Sequence, residues 1–366
     1  MTYAVLSDIH AHAWTIFSHT GADGVNSRLR ITLDEILRAA HALQAAGGST
    51  MVIAGDILHT RGQIDPEVLN PLRDTFETIL AMGISIYAIP GNHDLKSADT
   101  QELSSAIQNL AQTHFSGGEF RVFNSPVIDM SGSGAFGRAY VPWCNSKDQL
   151  LIALDDLTQR AGSLASKIDV FIHAGIDGVL SGMPAHGLTH TDLGKFGFRR
   201  VFAGHYHNHK DFGNGVVSIG ATCHQNWGDV GTKAGFLLVD EATGAFTFEA
   251  SHAPSFIDIS GLDETEIMLA APGNYVRVRG ASMTDDEVRD LRRELTKMGA
   301  VGTSIEVPRQ TQTVRSTSTG GQVKTLEQSI GDFVAASAAN LPANVMAADV
   351  TKGAIEILNL SRAVAD

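Results

Sequence analysis

Five short stretches carry residues that can hold cations or move protons: Asp8 and His10 in "SDIH", Asp56 in "GD", Asn92, His93 and Asp94 in "GNHD", His173 in "HAG", and His205 with His207 in "GHYH". Carboxylate, imidazole and an asparagine carbonyl together form a hard-to-borderline donor set, which suits manganese, iron, zinc or magnesium better than soft copper. Asp56 offers two oxygens and can bridge two ions. Two such ions ~3.5–4 Å apart clamp a phosphoryl group, lower the pKa of a shared water and stabilise the charge that builds on attack. A phosphate ester is therefore the expected substrate. His93, beside the candidate ligand Asn92, is placed to act as general acid at a leaving oxygen; Asp94 is placed to fix the tautomer of His93 or to orient a ligand.

These residues converge only if the chain delivers them to one edge. Each stretch follows a short apolar run, at 3–6, 51–54, 84–89, 170–172 and 201–203, and helical patterns at 29–46 and 66–82 alternate with the first three. Such alternation predicts stacked βαβ units, whose strand ends collect ligands along one rim. Two residues one position apart at a strand exit, such as Asp8 with His10 or His205 with His207, point to the same side. Further apolar runs at 135–141, 216–219 and 235–239 complete the later series, whose shorter connections predict hairpins. Beyond Ala253, the strand pattern of 275–279, a charged helix over 284–298 and a strand over 302–307 read as a small α/β module. The polar stretch 309–324 reads as a loop or linker. After it, Leu326, Ile330, Phe333 and Val334, then Val350, Ala354, Ile357 and Leu358, repeat at helical spacing and predict two amphipathic helices.

Composition narrows the classes. The 366 residues suffice for a large core, and no apolar run approaches the ~20 residues that a membrane span requires. No secretory signal is visible at the start, so a cytoplasmic protein is expected. Cys144 and Cys223 are the only cysteines, which excludes a disulfide framework and a four-cysteine zinc site. With 27 Lys+Arg against 40 Asp+Glu, the formal charge of −13 repels nucleic acid unless cations, a local basic patch or a partner reverses the field. His209 lies one step beyond the last pair and reads as exposed or supporting. His12, His19, His59, His186, His190 and His224 are likewise given surface or supporting roles. The glycines of "GSGAFG", 132–137, match a dinucleotide-binding pattern but precede a strand ending in proline instead of a helix, so that reading is rejected.

In their order, "SDIH", "GD", "GNHD", a histidine after a strand, and "GHYH" resemble the calcineurin-like metallophosphoesterase signature, and within it most nearly the SbcD-type DNA repair exonuclease subunits, phage recombination nucleases included. "GVNSRLRITLDEI", "GDILHTRG" and "SIGATCHQNWGDVGTKAGFLLVD" extend the resemblance over nearly the whole chain. It implies an α/β fold: a metallophosphoesterase β-sandwich flanked by helices over 1–253, a small α/β capping domain over 254–308, a linker over 309–324 and a helical tail over 325–366. It further implies a dinuclear centre, with Asp8, His10, Asp56 and His207 on one metal and Asp56, Asn92, His173 and His205 on the other. His93 matches the family's catalytic histidine. The expected activity is a two-metal-dependent phosphodiesterase hydrolysing DNA, with Mn2+ as the expected metal and Mg2+, Fe2+ or Zn2+ as alternatives. Expected partners are DNA and an SMC-like ATPase subunit of the SbcC type, which the tail would meet; a homodimer is compatible, and the setting is a bacterial host cell or its nucleoid. Arg61 is the candidate substrate contact, with Arg138, Arg199, Arg200, Lys210, Arg277 and Arg279 as further candidates for a basic groove. The alternatives are a phosphomonoesterase or cyclic-nucleotide phosphodiesterase on the same metals, and a non-catalytic DNA-end-binding module, against which the presence of His93 argues.

Overall fold

Helices begin where the sequence supplies an acceptor for backbone N–H groups that lack one. In the computed structural model Asn26 caps α1 (Ser27–Ala45), accepting from the N–H groups of Arg28 and Leu29, and Asp65 caps α2 (Pro66–Ala81) just ahead of a proline in its first turn. The structure describes residues 1–63, 65–96, 107, 110, 117–130, 136–280, 282–308, 325–338, 341 and 345–363. The linker at 309–324 and most of "GSGAFG" lie outside them.

The chain divides into two compact units, Met1–Gln310 and Thr311–Asp366. In the first unit one six-stranded sheet holds β1 (Thr2–Leu6), β2 (Thr50–Ala54), β3 (Ser85–Ile89), β4 (Phe120–Val122), β11 (Gly235–Asp240) and β12 (Phe246–Ala250), in the order β12-β11-β1-β2-β3-β4. A second holds β5 (Val127–Asp129), β6 (Gly137–Val141), β7 (Ile168–His173), β8 (Arg200–Gly204), β9 (Lys210–Asp211) and β10 (Val216–Ser218), in the order β5-β6-β7-β8-β10-β9.

Their strands bury both faces, which is why the apolar runs are continuous. Tyr3, Val5, Val52 and Ile89 of the first sheet meet Tyr140, Phe171, Phe202 and Val217 of the second in the layer between the sheets. The intervening Ala4, Leu6, Met51 and Ile53 face outward onto Leu33, Ile36, Phe76 and Ile79 of α1 and α2. Val170, Ile172, Val201 and Ala203 face the other way, onto Leu150, Leu154 and Leu157 of α3 (Lys147–Ala161) and Leu193 of α4 (His190–Gly194). Helices thus cover both outer faces of a two-sheet sandwich. An aromatic ladder stiffens the middle layer: Phe123 stacks on Tyr140 with ring centres 4.1 Å apart, and Phe171 lies 5.5 Å from both Tyr140 and Phe202. Full burial of each such side chain contributes roughly 1.5–3 kcal/mol.

One expectation is corrected. The runs at 135–141, 170–172, 201–203 and 216–219 do not form hairpins with one another; β6, β7, β8 and β10 pair in parallel. The connections include α3 and α4, and crossovers of that kind allow parallel pairing. Hairpin-like antiparallel pairs occur instead at β5–β6, β9–β10 and β11–β12.

A third, parallel sheet joins β13 (Phe256–Asp258), β14 (Tyr275–Arg279) and β15 (Gly302–Glu306). With α5 (Glu264–Ala270) and α6 (Asp285–Lys297) it builds a core of its own around Ile259, Ala271, Val276 and Leu295. In the second unit α7 (Leu326–Ser337) and α8 (Ala347–Ala363) pack on each other, while Phe333, Met346 and Ile357 stay exposed. No described helix is long and apolar enough to cross a membrane.

Candidate metal centre

Strand direction assembles the site. β1, β2 and β3 run parallel in one sheet and β7 and β8 in the other, and their carboxyl ends deliver Asp8 and His10, Asp56, Asn92 and His93, His173, and His205 and His207. The turns after the strands are sharp. Asp8, His10, Asp56 and His205 all have positive φ (50°, 47°, 52° and 104°), a conformation that non-glycine residues hold only when their surroundings enforce it. Two glycines make the approach possible. A Cβ on Gly91 would collide with the carboxylate and backbone N of Asp56, and one on Gly204 with Ser7 Oγ and the Ala54 carbonyl.

The side chains form two groups. Ligand atoms of Asp8, His10 and His207 lie within 4.8 Å of one another, as do those of Asp56, His173 and His205. Asp56 sits between the groups, its Oδ2 3.5 Å from His10 Nε2 and 3.3 Å from His173 Nε2. Asn92 Oδ1 lies 3.2 Å from His173 Nε2 and 3.1 Å from His205 Nδ1. Asp8, His10, Asp56, Asn92 and His173 are all buried.

Divalent cations fit this arrangement on three counts. Asp8 Oδ1 is buried with no hydrogen-bond partner, whereas its Oδ2 accepts from Ser7 Oγ (2.7 Å) and the His205 N–H (2.9 Å). The Nε2 atoms of His10 and His207 face each other at 3.2 Å, which requires a proton or a cation between two lone pairs. His173 Nδ1 meets the Ala54 carbonyl at 2.8 Å, so that nitrogen donates and Nε2 is turned inward.

The electrostatics follow from burial and charge. Burial raises the Asp8 carboxyl and depresses His10 well below its ordinary value. Burial, aided by the nearby His173, brings His205 down to about 3, so the ring is neutral and free to ligate at neutral pH. For His173 burial again disfavours the charged form, but Asp56 outweighs it and holds the ring up to about 9. Burial also works against the Asp56 carboxylate, yet His173 and His10 keep it far below the usual carboxylate range.

His93 is half-buried beside these groups: its backbone N–H donates to Asp56 Oδ1 (2.8 Å) and its ring stands edge-on to His10, with centres 4.8 Å apart. Its Nδ1 lies 2.5 Å from the His59 carbonyl, which fixes the tautomer and leaves Nε2 as the working atom. Of the two roles expected of Asp94, fixing this tautomer is not the one its contacts serve. Its carboxylate is buried and accepts the N–H groups of Ile57 (3.3 Å), Leu58 (2.9 Å) and Gly91 (2.9 Å), tying the exits of β2 and β3 together. Burial, with repulsion from Asp56, pushes its pKa up to about 7.

The sequence pattern gives His59 only a supporting or surface role, yet its ring stacks on His93 (5.4 Å between centres, 20° between planes) and its Nδ1 lies 3.3 Å from His10 Nδ1. The group His10, His59 and His93 also brings its ligand atoms within 4.8 Å. The signal is the histidine's position just past Asp56, on the same strand exit. His209 stacks on Phe248, and its Nδ1 meets the Ser218 carbonyl at 3.1 Å.

The arginines fall elsewhere. Arg61 is exposed on the turn after β2. Arg138 and Arg200 open β6 and β8, and Arg199 precedes β8, so they stand at the amino ends of strands whose opposite ends carry the site. Arg138 pairs with Glu241 at 2.7 Å, Arg199 with Asp169, and Arg200 donates to the Gly244 carbonyl at 3.0 Å. Arg277 and Arg279 both pair with Asp258, and Lys210 donates to the Gly178 carbonyl. Of the seven candidates for a basic groove, Arg138, Arg199 and Arg200 thus join elements at the strand ends away from the metal site.

Comparison with known proteins places this geometry. Exonuclease subunit 1 of Enterobacteria phage T4 is 25% identical over 229 residues, 62% of this chain, and the chain spans 63% of the length of that relative. A crystal structure of a dimetal phosphatase from Danio rerio matches 65% of this chain and 91% of its own at 12% identity, with a TM-score of 0.38. That of TT1561 from Thermus thermophilus matches 69% and 99% at 11% identity, with a TM-score of 0.42. The calcineurin-like phosphoesterase profile matches residues 1–209, a span that holds every residue of the two ligand groups and His93. With more than half of its length so matched, the chain belongs to the calcineurin-like phosphoesterase family of metal-dependent hydrolases.

Proposed function

We propose that the chain is a two-metal phosphodiesterase acting on DNA, the nuclease subunit of a complex with an SMC-like ATPase. The observation that carries the reading is the pair of ligand groups sharing Asp56 at one rim, with an orphaned carboxylate oxygen on Asp8. Asp8, His10, Asp56 and His207 would hold one cation and Asp56, Asn92, His173 and His205 the other, with manganese matching the mixed oxygen and imidazole donors. Two divalent cations so held would bind phosphoryl oxygens and make water acidic enough to supply the nucleophile.

The protein's own part is positioning and proton handling. The neutral His10 and His205 keep their lone pairs for ligation. His93, with Nδ1 committed to the His59 carbonyl, hands a proton from Nε2 to the departing sugar oxygen. The stack on His59 holds that ring upright.

A diester needs room on both sides of phosphorus. A cavity of about 260 Å³, lined by Trp143, Asn145, Lys147, His186 and Tyr206, opens beside His205 and gives space for a flanking nucleoside. The likeness to a phage exonuclease subunit supports DNA as the substrate, and the second unit with its exposed Phe333, Met346 and Ile357 supports a protein partner. The charge of −13 is consistent with DNA engagement that depends on cations and on that partner.

The deciding experiment compares bis(p-nitrophenyl) phosphate, p-nitrophenyl phosphate and end-labelled linear duplex DNA, each with manganese and after chelation, with and without the ATPase. Manganese-dependent cleavage of the diester and the DNA is expected. Hydrolysis confined to the monoester or to free nucleotides ends the nuclease reading.

A further inference from the structure

His207 is held from behind. Its Nδ1 lies 2.8 Å from Asp229 Oδ1, while its Nε2 points at His10. Asp229 is 5% exposed and ends a single 3-10 turn, Trp227–Asp229, capped by Asn226. Its second oxygen, Oδ2, accepts the backbone N–H groups of Gln225 (2.6 Å) and Asn226 (3.1 Å). The carboxylate therefore cannot swing; one oxygen is pinned to its own turn and the other is presented to the imidazole.

That turn is anchored on the three-stranded sheet as well as on the two-sheet body, where Gln225 Nε2 donates to the Ile9 carbonyl (3.2 Å). The Trp227 ring meets Phe256 of β13 edge-on with centres 4.8 Å apart, and the Arg277 guanidinium of β14 lies 4.8 Å over Trp227. His224, just ahead of the turn, accepts the Phe256 N–H at Nδ1 (3.1 Å). Arg28 donates to the Gln225 carbonyl (2.6 Å) and packs on Phe256 and Tyr275. His173 and His205 have different supports: Ala54, Asp56, Asn92 and Trp143, all in the two-sheet body.

We infer that Asp229 is a positioning residue for the cation held by Asp8, His10 and His207, and that the three-stranded sheet, gripping Trp227, braces it. This rests on the two-metal reading. The two cations are then unequal: one depends on the three-stranded sheet through Asp229, and the other does not. Without the carboxylate, the Nδ1–H of His207 loses its acceptor and the ring is free to rotate Nε2 away from His10. Outer hydrogen-bond partners of a ligating histidine are worth about 10–100-fold in metal affinity.

The test is manganese binding to the full-length, ion-free protein, followed by calorimetry and electron paramagnetic resonance, with no substrate present. The wild type is expected to bind two ions and to give an exchange-coupled signal. In Asp229→Ala one ion should weaken by about 10–100-fold while the other is unchanged, and the coupled signal should give way to that of an isolated ion. Asp229→Asn keeps an acceptor oxygen and should recover most of the loss; Trp227→Ala should weaken the same ion by less. The inference is overturned if Asp229→Ala binds both ions as the wild type does, weakens both equally, or is no worse than Asp229→Asn. A wild type that binds fewer than two ions would instead overturn the two-metal centre itself, and this inference with it.

Discussion

At the scale of single residues, the division of labour among the histidines comes from their neighbours. His10 and His205 are driven neutral by burial, whereas Asp56 keeps His173 protonated up to about 9. A cation that takes His173 Nε2 must displace that proton, because metals bind the neutral ring. Below about pH 9 the proton competes, so apparent manganese affinity should rise with pH and level off above it, with at least one proton released per centre filled at pH 7. Calorimetry in two buffers of different ionisation enthalpy counts that proton, and a count of zero contradicts the assignment. His93 is the complementary case. Its ring touches His10 and His59, and the proposed mechanism assigns it proton transfer and not ligation. His93→Asn should lower kcat on a nitrophenyl diester by about 10²–10⁴-fold while both manganese ions still bind. Loss of an ion in this variant would make His93 a ligand instead.

At the scale of elements, the strand exits work because something ties them together, and Asp94 is that tie. Three backbone N–H groups from the β2 and β3 exits end on its carboxylate. Asp94→Ala leaves buried donors without acceptors at roughly 1–3 kcal/mol each. Urea unfolding should therefore register a loss above about 3 kcal/mol, in the range kept for core lesions; a loss under about 1 kcal/mol would mean that water replaces the carboxylate freely. This role is not legible in the sequence, where Asp94 is simply the neighbour of His93. The candidate ligands are legible, because each follows an apolar run and strand direction alone sends them to one rim. The same logic moves Arg199 and Arg200 away from that rim, since both stand before the start of their run, whereas Arg138 falls inside its run and only the start of β6 at Gly137 puts it at the amino end. α3 escapes the pattern of alternating runs, although Ser146 caps it and Leu150, Leu154 and Leu157 mark its buried face. Its omission turns parallel crossovers into expected hairpins. Asp229 and Trp227 lie on a short turn with no periodic pattern, and only contacts distant in sequence give them meaning.

For the molecule as a whole, the question is how a chain with a formal charge of −13 would act on DNA, the polyanion proposed as its substrate. Filling the centre with two divalent cations offsets four charges locally, but most of the acidic surface remains. On the proposed reading, long-range attraction would fall to the partner, and the second unit is where it would bind: α7 and α8 pack together yet Leu326, Phe333, Met346 and Ile357 are between 54% and 72% exposed. Exposed apolar side chains on a helical pair are what a partner's coiled coil or helical groove would cover. Removing 325–366 takes away those side chains but no residue of either ligand group. The shortened chain should therefore hydrolyse the nitrophenyl diester with kcat/KM within about twofold of the full chain, a change of under about 0.5 kcal/mol, while the ATPase no longer co-purifies with it. DNA cleavage should then lose its stimulation by the ATPase and fall steeply with added monovalent salt, as expected when only phosphate contacts remain. Co-purification that survives the deletion would place the partner's contact on the first unit instead.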